Sequence, residues 1–182
     1  MLFASPSLAF ALGLALAGPA PPPAIAQPAP PSGLVFPHEE RGACPFACCR
    51  AGRWVARGPL TVRRARAADA PAAFALDAGE AVDGVDSVVV TLRPGRARAL
   101  AAVTLGGVRV DKNEEVAVLS HAGAGALRLV ARGRVVSAAP GGKDFRLLSE
   151  PLTVSWVQVR NRRGETGWSD EPERFDGAAG CG

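Results

Sequence analysis

At 182 residues, 48% hydrophobic and 21% charged, the chain is long enough to bury a core and suits one medium domain or two very small ones. Its net charge of +4 is carried almost wholly by arginine, lysine occurring only at Lys112 and Lys143, and the acids are interspersed with the arginines, which excludes a basic arm. Aromatic residues make up 5% of the chain and tyrosine is absent; a single-strand binder needs more stacking faces, so no nucleic-acid partner is expected.

The opening MLFASPSLAFALGLALAGPAPPPAIAQPAP has an apolar run from Leu8 to Ala17, then prolines, then the small-x-small pattern Ala24-Ile25-Ala26 before Gln27. This predicts a secretory signal peptide over 1–26, although no Lys or Arg precedes the apolar run. The run is short for a membrane span, no cysteine ends it as a lipid anchor requires, and no later segment reads as a span. Residues 27–35 continue in Pro, Ala, Ser and Gly and read as an extended linker. The expected location is periplasmic or secreted.

Folded material is expected from about Phe36, with 36–56 as a cysteine-containing N-terminal segment. The stretch GACPFACCR, Gly42 to Arg50, holds Cys44, Cys48 and Cys49, and Cys181 lies in a tail over 177–182. In an exported chain an even cysteine count favours disulfides over free thiols. Neighbouring Cys48 and Cys49 would need a strained small ring to pair with each other. The remaining schemes join Cys44 to Cys48 or to Cys49 and send the other cysteine to Cys181, and the sequence leaves that choice open. The long bond would close a loop of roughly 137 residues and, in the chain-entropy model, stabilise the fold by at most about 5 kcal/mol. The competing reading is a copper(I) or zinc site made by His38, Cys44, Cys48 and Cys49, with Glu39 or Glu40. Zinc sites usually present two separated cysteine pairs, whereas the spacing here is C-x3-C-C. A redox dithiol would normally be a C-x-x-C at a helix start. The staple is therefore the expected role, with no metal and no cofactor.

Beyond Arg57 short apolar runs alternate with Gly, Pro and Asp. Strands are predicted around Leu60 and Val62, over Val85 to Leu92, Val116 to Ser120, Ala126 to Ala131 and Arg134 to Ser137. PLTVSWVQVRNRRGETGWSD predicts a hairpin, with Val154, Trp156 or Val157, and Val159 before a polar turn and Thr166 to Trp168 after it. This spacing of strands and turns argues for an all-β barrel or sandwich. The only helix-compatible stretches are alanine-rich, Ala65 to Ala75, interrupted by Pro71, and Ala97 to Ala102.

WVQVRNRRGETGWS, Trp156 to Ser169, resembles the closing hairpin of bacterial SH3-like domains, in which a Trp-bearing strand turns into a Thr-Gly-Trp strand. LTVRRARAADAPAAFALDAGEAVDGV, Leu60 to Val85, is similar to their opening, with the Gly79-Glu80 step into the next strand. VRVDKNEEVAVLSHAGAGALRLVARGRVVSA, Val108 to Ala138, looks like a second, degenerate unit without an aromatic at the hairpin positions. The usual ending is replaced by DEPERFDGAAGCG. The resemblance implies one or two small SH3-like barrels. They are either tandem units over 57–105 and 106–176, the preferred division, or one barrel in which Leu60 to Leu92 completes with Trp156 to Trp168 around an insertion. It also implies recognition of an extended peptide or a cell-wall polymer.

Candidate chemistry is sparse. His38 and His121 are the only imidazoles, and Ser120 and His121, adjacent on a strand, point to opposite faces and cannot act as nucleophile and base. PGGKD, Pro140 to Asp144, lacks the first glycine and the Ser or Thr after lysine of a phosphate loop. Asp83 and Asp86, and Glu114 and Glu115, flank strands and read as solvated turn residues. No catalytic residue is expected, so the chain reads as a non-enzymatic binding or structural module, with an envelope enzyme as the third reading after metal binding. Arg63, Arg64 and Arg66, and Arg160, Arg162 and Arg163, read as edge and turn charges that block strand pairing; converging, they would meet an anionic partner. Trp54, Trp156 and Trp168 are core candidates, and Trp156, Trp168 and Arg160 are the candidate ligand groove.

Overall fold

Runs of β-branched residues closed by glycine and proline turns become strands from His38 to Asp176, and the fold is all-β. The computed structural model describes residues 34–44, 46, 51–139 and 143–179. The signal-peptide and most of the linker assignments, Cys48, Cys49 and Cys181 lie outside the described residues. In chain order the strands are β1 (His38–Arg41), β2 (Gly52–Ala56), β3 (Leu60–Arg63), β4 (Ala72–Leu76), β5 (Ala81–Arg93), β6 (Gly95–Ala99), β7 (Val103–Leu105) and β8 (Val108–Val110). They continue with β9 (Glu115–Ala122), β10 (Ala126–Ala131), β11 (Arg134–Ala138), β12 (Phe145–Ser149), β13 (Leu152–Arg160), β14 (Thr166–Ser169) and β15 (Phe175–Asp176). Among the described residues no helix is long and apolar enough to cross a membrane.

The first sheet runs β15-β2-β5-β13-β14-β3-β4 and curls into a half barrel, with β1 paired to β5 beyond β2. The second runs β11-β10-β9-β6-β12, and β7 and β8 form a separate ribbon. The stem is the pairing of β5 with β13, from Leu152 opposite Arg93 to Arg160 opposite Asp83. Residues 95–149, with the whole second sheet and the ribbon, therefore interrupt two strands that pair with each other. The segments 57–105 and 106–176 each contribute strands to both sheets, so the division expected at 105/106 separates neither sheet. It falls in the Gly106–Gly107 turn of the ribbon, where both residues have positive φ (54° and 79°), the backbone that a tight two-residue hairpin requires.

The two passages between the sheets run side by side and approach closely at Gly95. A Cβ there would stand 2.4 Å from the Ser149 carbonyl oxygen and 2.6 Å from the Pro151 nitrogen, so only glycine admits this approach. A bulge in β5 does the other topological work. Val159 pairs with Gly84 but Gln158 with Asp86, leaving Val85 unpaired and 46% exposed. The extra residue turns Val82 and Gly84 on one side of it, and Ser87 and Val89 on the other, to the same interior face.

Inside the half barrel Trp54, Val62, Phe74, Val157, Val159 and Phe175 form the first core. Trp54 lies over Gly84, where a Cβ would come within 2.3 Å of its ring, and its ring centroid is 5.8 Å from that of Phe175. The second core, including Val116, Val118, Leu127, Leu129 and Phe145, lies between the second sheet and the ribbon. The sheets meet through polar bonds. Thr91 Oγ1 donates to the Leu119 carbonyl at 2.8 Å, and Glu40, with its side chain 9% exposed, accepts from Ser120 Oγ at 3.0 Å and Arg128 Nε at 2.8 Å.

Both alanine-rich stretches differ from a helical reading. Ala72–Leu76 is β4, and Gly95–Ala99 is β6, in which Ala97 and Ala99 are fully buried while Arg96 and Arg98 face outward. The Arg-Ala-Arg-Ala alternation has the period of a strand, and burial of the small residues against the second core outweighs the helix preference of alanine.

Candidate functional site

The site follows from the alternation of β13. Val157 and Val159 point into the half barrel, so Trp156, Gln158 and Arg160 face outward. Arg160 is opposite Asp83 on β5, and Asp83 is opposite Arg53 on β2, which sets Arg53, Asp83 and Arg160 in one row across three neighbouring strands. The row forms the floor of a cleft of about 250 Å³ whose walls include Asn161 and Arg162.

Three arginines thus face one aspartate. Arg160 Nη2 is 3.6 Å from Asp83 Oδ2 with both side chains about half exposed, a loose pair worth at most about 1 kcal/mol. Arg53 and Arg162 make no ion pair among the described residues. Asn161 is committed to the β13–β14 turn. Its Oδ1 accepts the backbone N–H groups of Arg163 at 2.9 Å and Glu165 at 3.0 Å, and its Nδ2 donates to Glu165 Oε2 at 2.6 Å. The Asn161 amide, followed by the nearby Arg163, holds the Glu165 carboxyl below its ordinary value against the opposing effect of desolvation, with Arg64 adding a weaker pull. Glu165 therefore compensates Arg163 and lies near Arg64, so the two arginine clusters are neighbours with an acid between them.

The expected groove of Trp156, Trp168 and Arg160 shares this outer face but is not an open aromatic slot. Trp156 is buried with Val88 and Val90 in a third small cluster. Trp168, opposite Gln158, is half-buried beneath the Arg66 guanidinium, 5.3 Å from the ring centroid. Arg66 in turn reaches Glu39 at 3.0 Å. Trp54 belongs to the first core. Arg63 and Arg64 donate to the Ala70 and Ala72 carbonyls at 3.1 and 3.2 Å and brace the loop that carries Arg66. Arg53 and Asp83 were not legible as site residues, because register between distant strands, rather than any local motif, brings them to Arg160.

Other candidates are placed apart. Cys44 is disulfide-bonded and its Sγ accepts the Phe46 N–H at 3.4 Å, while Cys48, Cys49 and Cys181 lie outside the described residues. His38 is on β1 with its ring 6.4 Å from that of Phe36, and among the described residues no three His, Cys, Asp or Glu side chains cluster for a metal. Ser120 turns to Glu40, whereas His121 Nε2 is 2.7 Å from Glu150 Oε2 at the exposed surface. Asp86 accepts the Ser87 N–H at 2.7 Å, Glu114 accepts the Asp111 N–H at 2.9 Å, and Glu115 binds Arg96 and Arg98. Comparison of the chain with protein-family models, curated proteins and solved structures finds no match.

Proposed function

We propose that the protein is a non-enzymatic, exported binding or structural module of the bacterial envelope, built on an interrupted SH3-like plan and holding one group of a peptide or cell-wall polymer. The observation that carries this reading is the cleft of Arg53, Arg160 and Arg162 around Asp83, in which two of the three guanidinium groups have no acidic partner among the described residues. Its volume of about 250 Å³ is below the roughly 300–1,000 Å³ of sites that enclose a whole small molecule, and suits one residue of a longer chain. Uncompensated arginines favour a partner with anionic oxygens, which they bind in pairs of parallel hydrogen bonds. The SH3-like plan is supported by the pairing of Val157 to Arg160 with Thr166 to Ser169, the hairpin on which the resemblance chiefly rests. Export and stapling are supported by the apolar leader and by the disulfide at Cys44.

The test is co-sedimentation of the full chain, produced through an oxidising compartment, with isolated cell-wall sacculi. Wild type should sediment, and R53Q/R160Q/R162Q, with an unchanged melting curve, should remain in solution. Sedimentation of the folded triple variant with sacculi would remove the cleft from the function, and failure of the wild type to sediment would overturn the reading.

A further inference from the structure

We infer that the cleft holds the C-terminal end of a peptide, its free carboxylate between the arginines and the N–H of the same terminal residue on Asp83; this rests on the binding-module reading above. Arg53, Asp83 and Arg160 occupy directly opposed positions on adjacent strands, so their Cβ atoms are spaced about 5 Å apart, with the two arginines about 10 Å apart. Guanidinium groups from both sides, and from Arg162 on the wall, can close on one carboxylate held above the centre of the row.

The centre of that row is itself an acid, and this decides the ligand class. A site for a bare anion would gain by having a neutral residue at Asp83, because a second negative charge beside it is repelled. An ionised carboxylate is an acceptor only, with two oxygens. Its sole partner among the described residues is Arg160 at 3.6 Å, beyond hydrogen-bond length. The other polar side chain of the wall, the Asn161 amide, is committed to its turn at both ends. The arrangement therefore asks for anionic oxygens with one N–H donor close beside them. A peptide terminus has this geometry, since its carboxylate and amide N–H are carried by the same Cα. The volume admits that one residue, and the outward-facing opening leaves the rest of the chain on the sheet surface.

The experiment measures binding by calorimetry of four probes to the full chain: acetyl-trialanine with a free C-terminus, its C-terminal amide, free alanine and inorganic phosphate. Acetyl-trialanine should bind at least about tenfold more tightly than its amide, a difference of 1.4 kcal/mol. R160K, which retains the charge but not the paired hydrogen bonds, should weaken it. D83A should lower the preference for acetyl-trialanine over phosphate by about tenfold, because one substitution removes the N–H acceptor and relieves repulsion of phosphate. Melting curves establish that both variants fold. Equal binding of acid and amide, or an unchanged peptide-to-phosphate ratio in D83A, would overturn the assignment. Alanine binding as tightly as the acetylated peptide would replace the chain end by a free amino acid and overturn it equally. If no probe binds while sacculi still sediment wild type but not R53Q/R160Q/R162Q, this inference falls and the binding-module reading stands; if sacculi also fail, both fall.

Discussion

Replacing Gly95 by alanine tests whether the close approach of the two passages holds the sheets in their arrangement. The added Cβ would meet the Ser149 oxygen at 2.4 Å, the Pro151 nitrogen at 2.6 Å and the Glu150 carbonyl carbon at 2.8 Å, all of them backbone atoms. No side chain can swing aside, so the passages must separate by about 1 Å, the shortfall from ordinary van der Waals contact. That displacement works directly against the pairing of Arg96 with Ser149. Overpacking costs about 1–3 kcal/mol, and a clash between backbones belongs at the top of that range. Against it, alanine removes about 0.4–1 kcal/mol of unfolded-chain freedom, because Gly95 is not among the positive-φ residues. The expected net loss is about 2 kcal/mol, or about 4–8 °C in Tm for a domain of this size. The assay is thermal and urea unfolding followed by circular dichroism, with G58A as the control. At Gly58 a Cβ meets only the end of the flexible Arg174 side chain, at 2.8 Å, so a change within about 0.5 kcal/mol is expected. An unchanged melting curve for G95A, or an equal loss in G58A, would refute the reasoning.

Trp54→Ala should cost about 3–5 kcal/mol in urea unfolding, because it empties the centre of the first core beside Phe175; a loss near 1 kcal/mol would place the weight of that core elsewhere. The Glu40–Arg128 pair should show a coupling energy above about 1 kcal/mol in an E40A, R128A double-mutant cycle, since Glu40 is largely buried; additive losses would mean that the sheets do not depend on it. Glu115 is held below the ordinary carboxylate value first by Arg98 and then by Arg96. Its folded-state pKa is thus below its unfolded one, and its contribution is present above the unfolded value and lost as pH falls through the folded value. The stability curve of E115Q should lie below wild type at neutral pH and converge on it in acid; parallel curves through the acid range would contradict this. Arg66→Ala should red-shift tryptophan emission by uncovering Trp168 and cost about 0.5–1 kcal/mol, whereas an unchanged spectrum would show that the guanidinium does not shield the ring.

Much of the strand content was legible because it is a local property. Ala126–Ala131 and the strands around Leu60, Val118, Val135 and Val157 combine β-branched residues with turn signals at their ends. Several of the strands that went unread have weak local signals, although β2 (GRWVA) and β12 (FRLLS), also unread, carry large apolar residues. Alanine replaces the usual large residue in β4 and β6, the β7–β8 ribbon has only three residues on each side, and β15 has two. Their identity as strands depends on what they pair with and bury against, which a short window of sequence does not contain.

The groove residues divide in the same way. That Trp156 and Arg160 share a face follows from the period of two along one strand. That Trp156 is buried, that Arg66 covers Trp168, and that Arg53 and Asp83 join Arg160 follow from the tertiary pairing of β2, β5 and β13. The sequence by itself determined an all-β chain with a mixed arginine-rich surface, because strand period, turn residues and charge are local or additive. Tertiary structure alone decided that one sheet interrupts another and that three distant charges form a single cleft. Both depend on which strands exchange backbone hydrogen bonds and in what register, and a shift of one residue there turns every side chain to the opposite face.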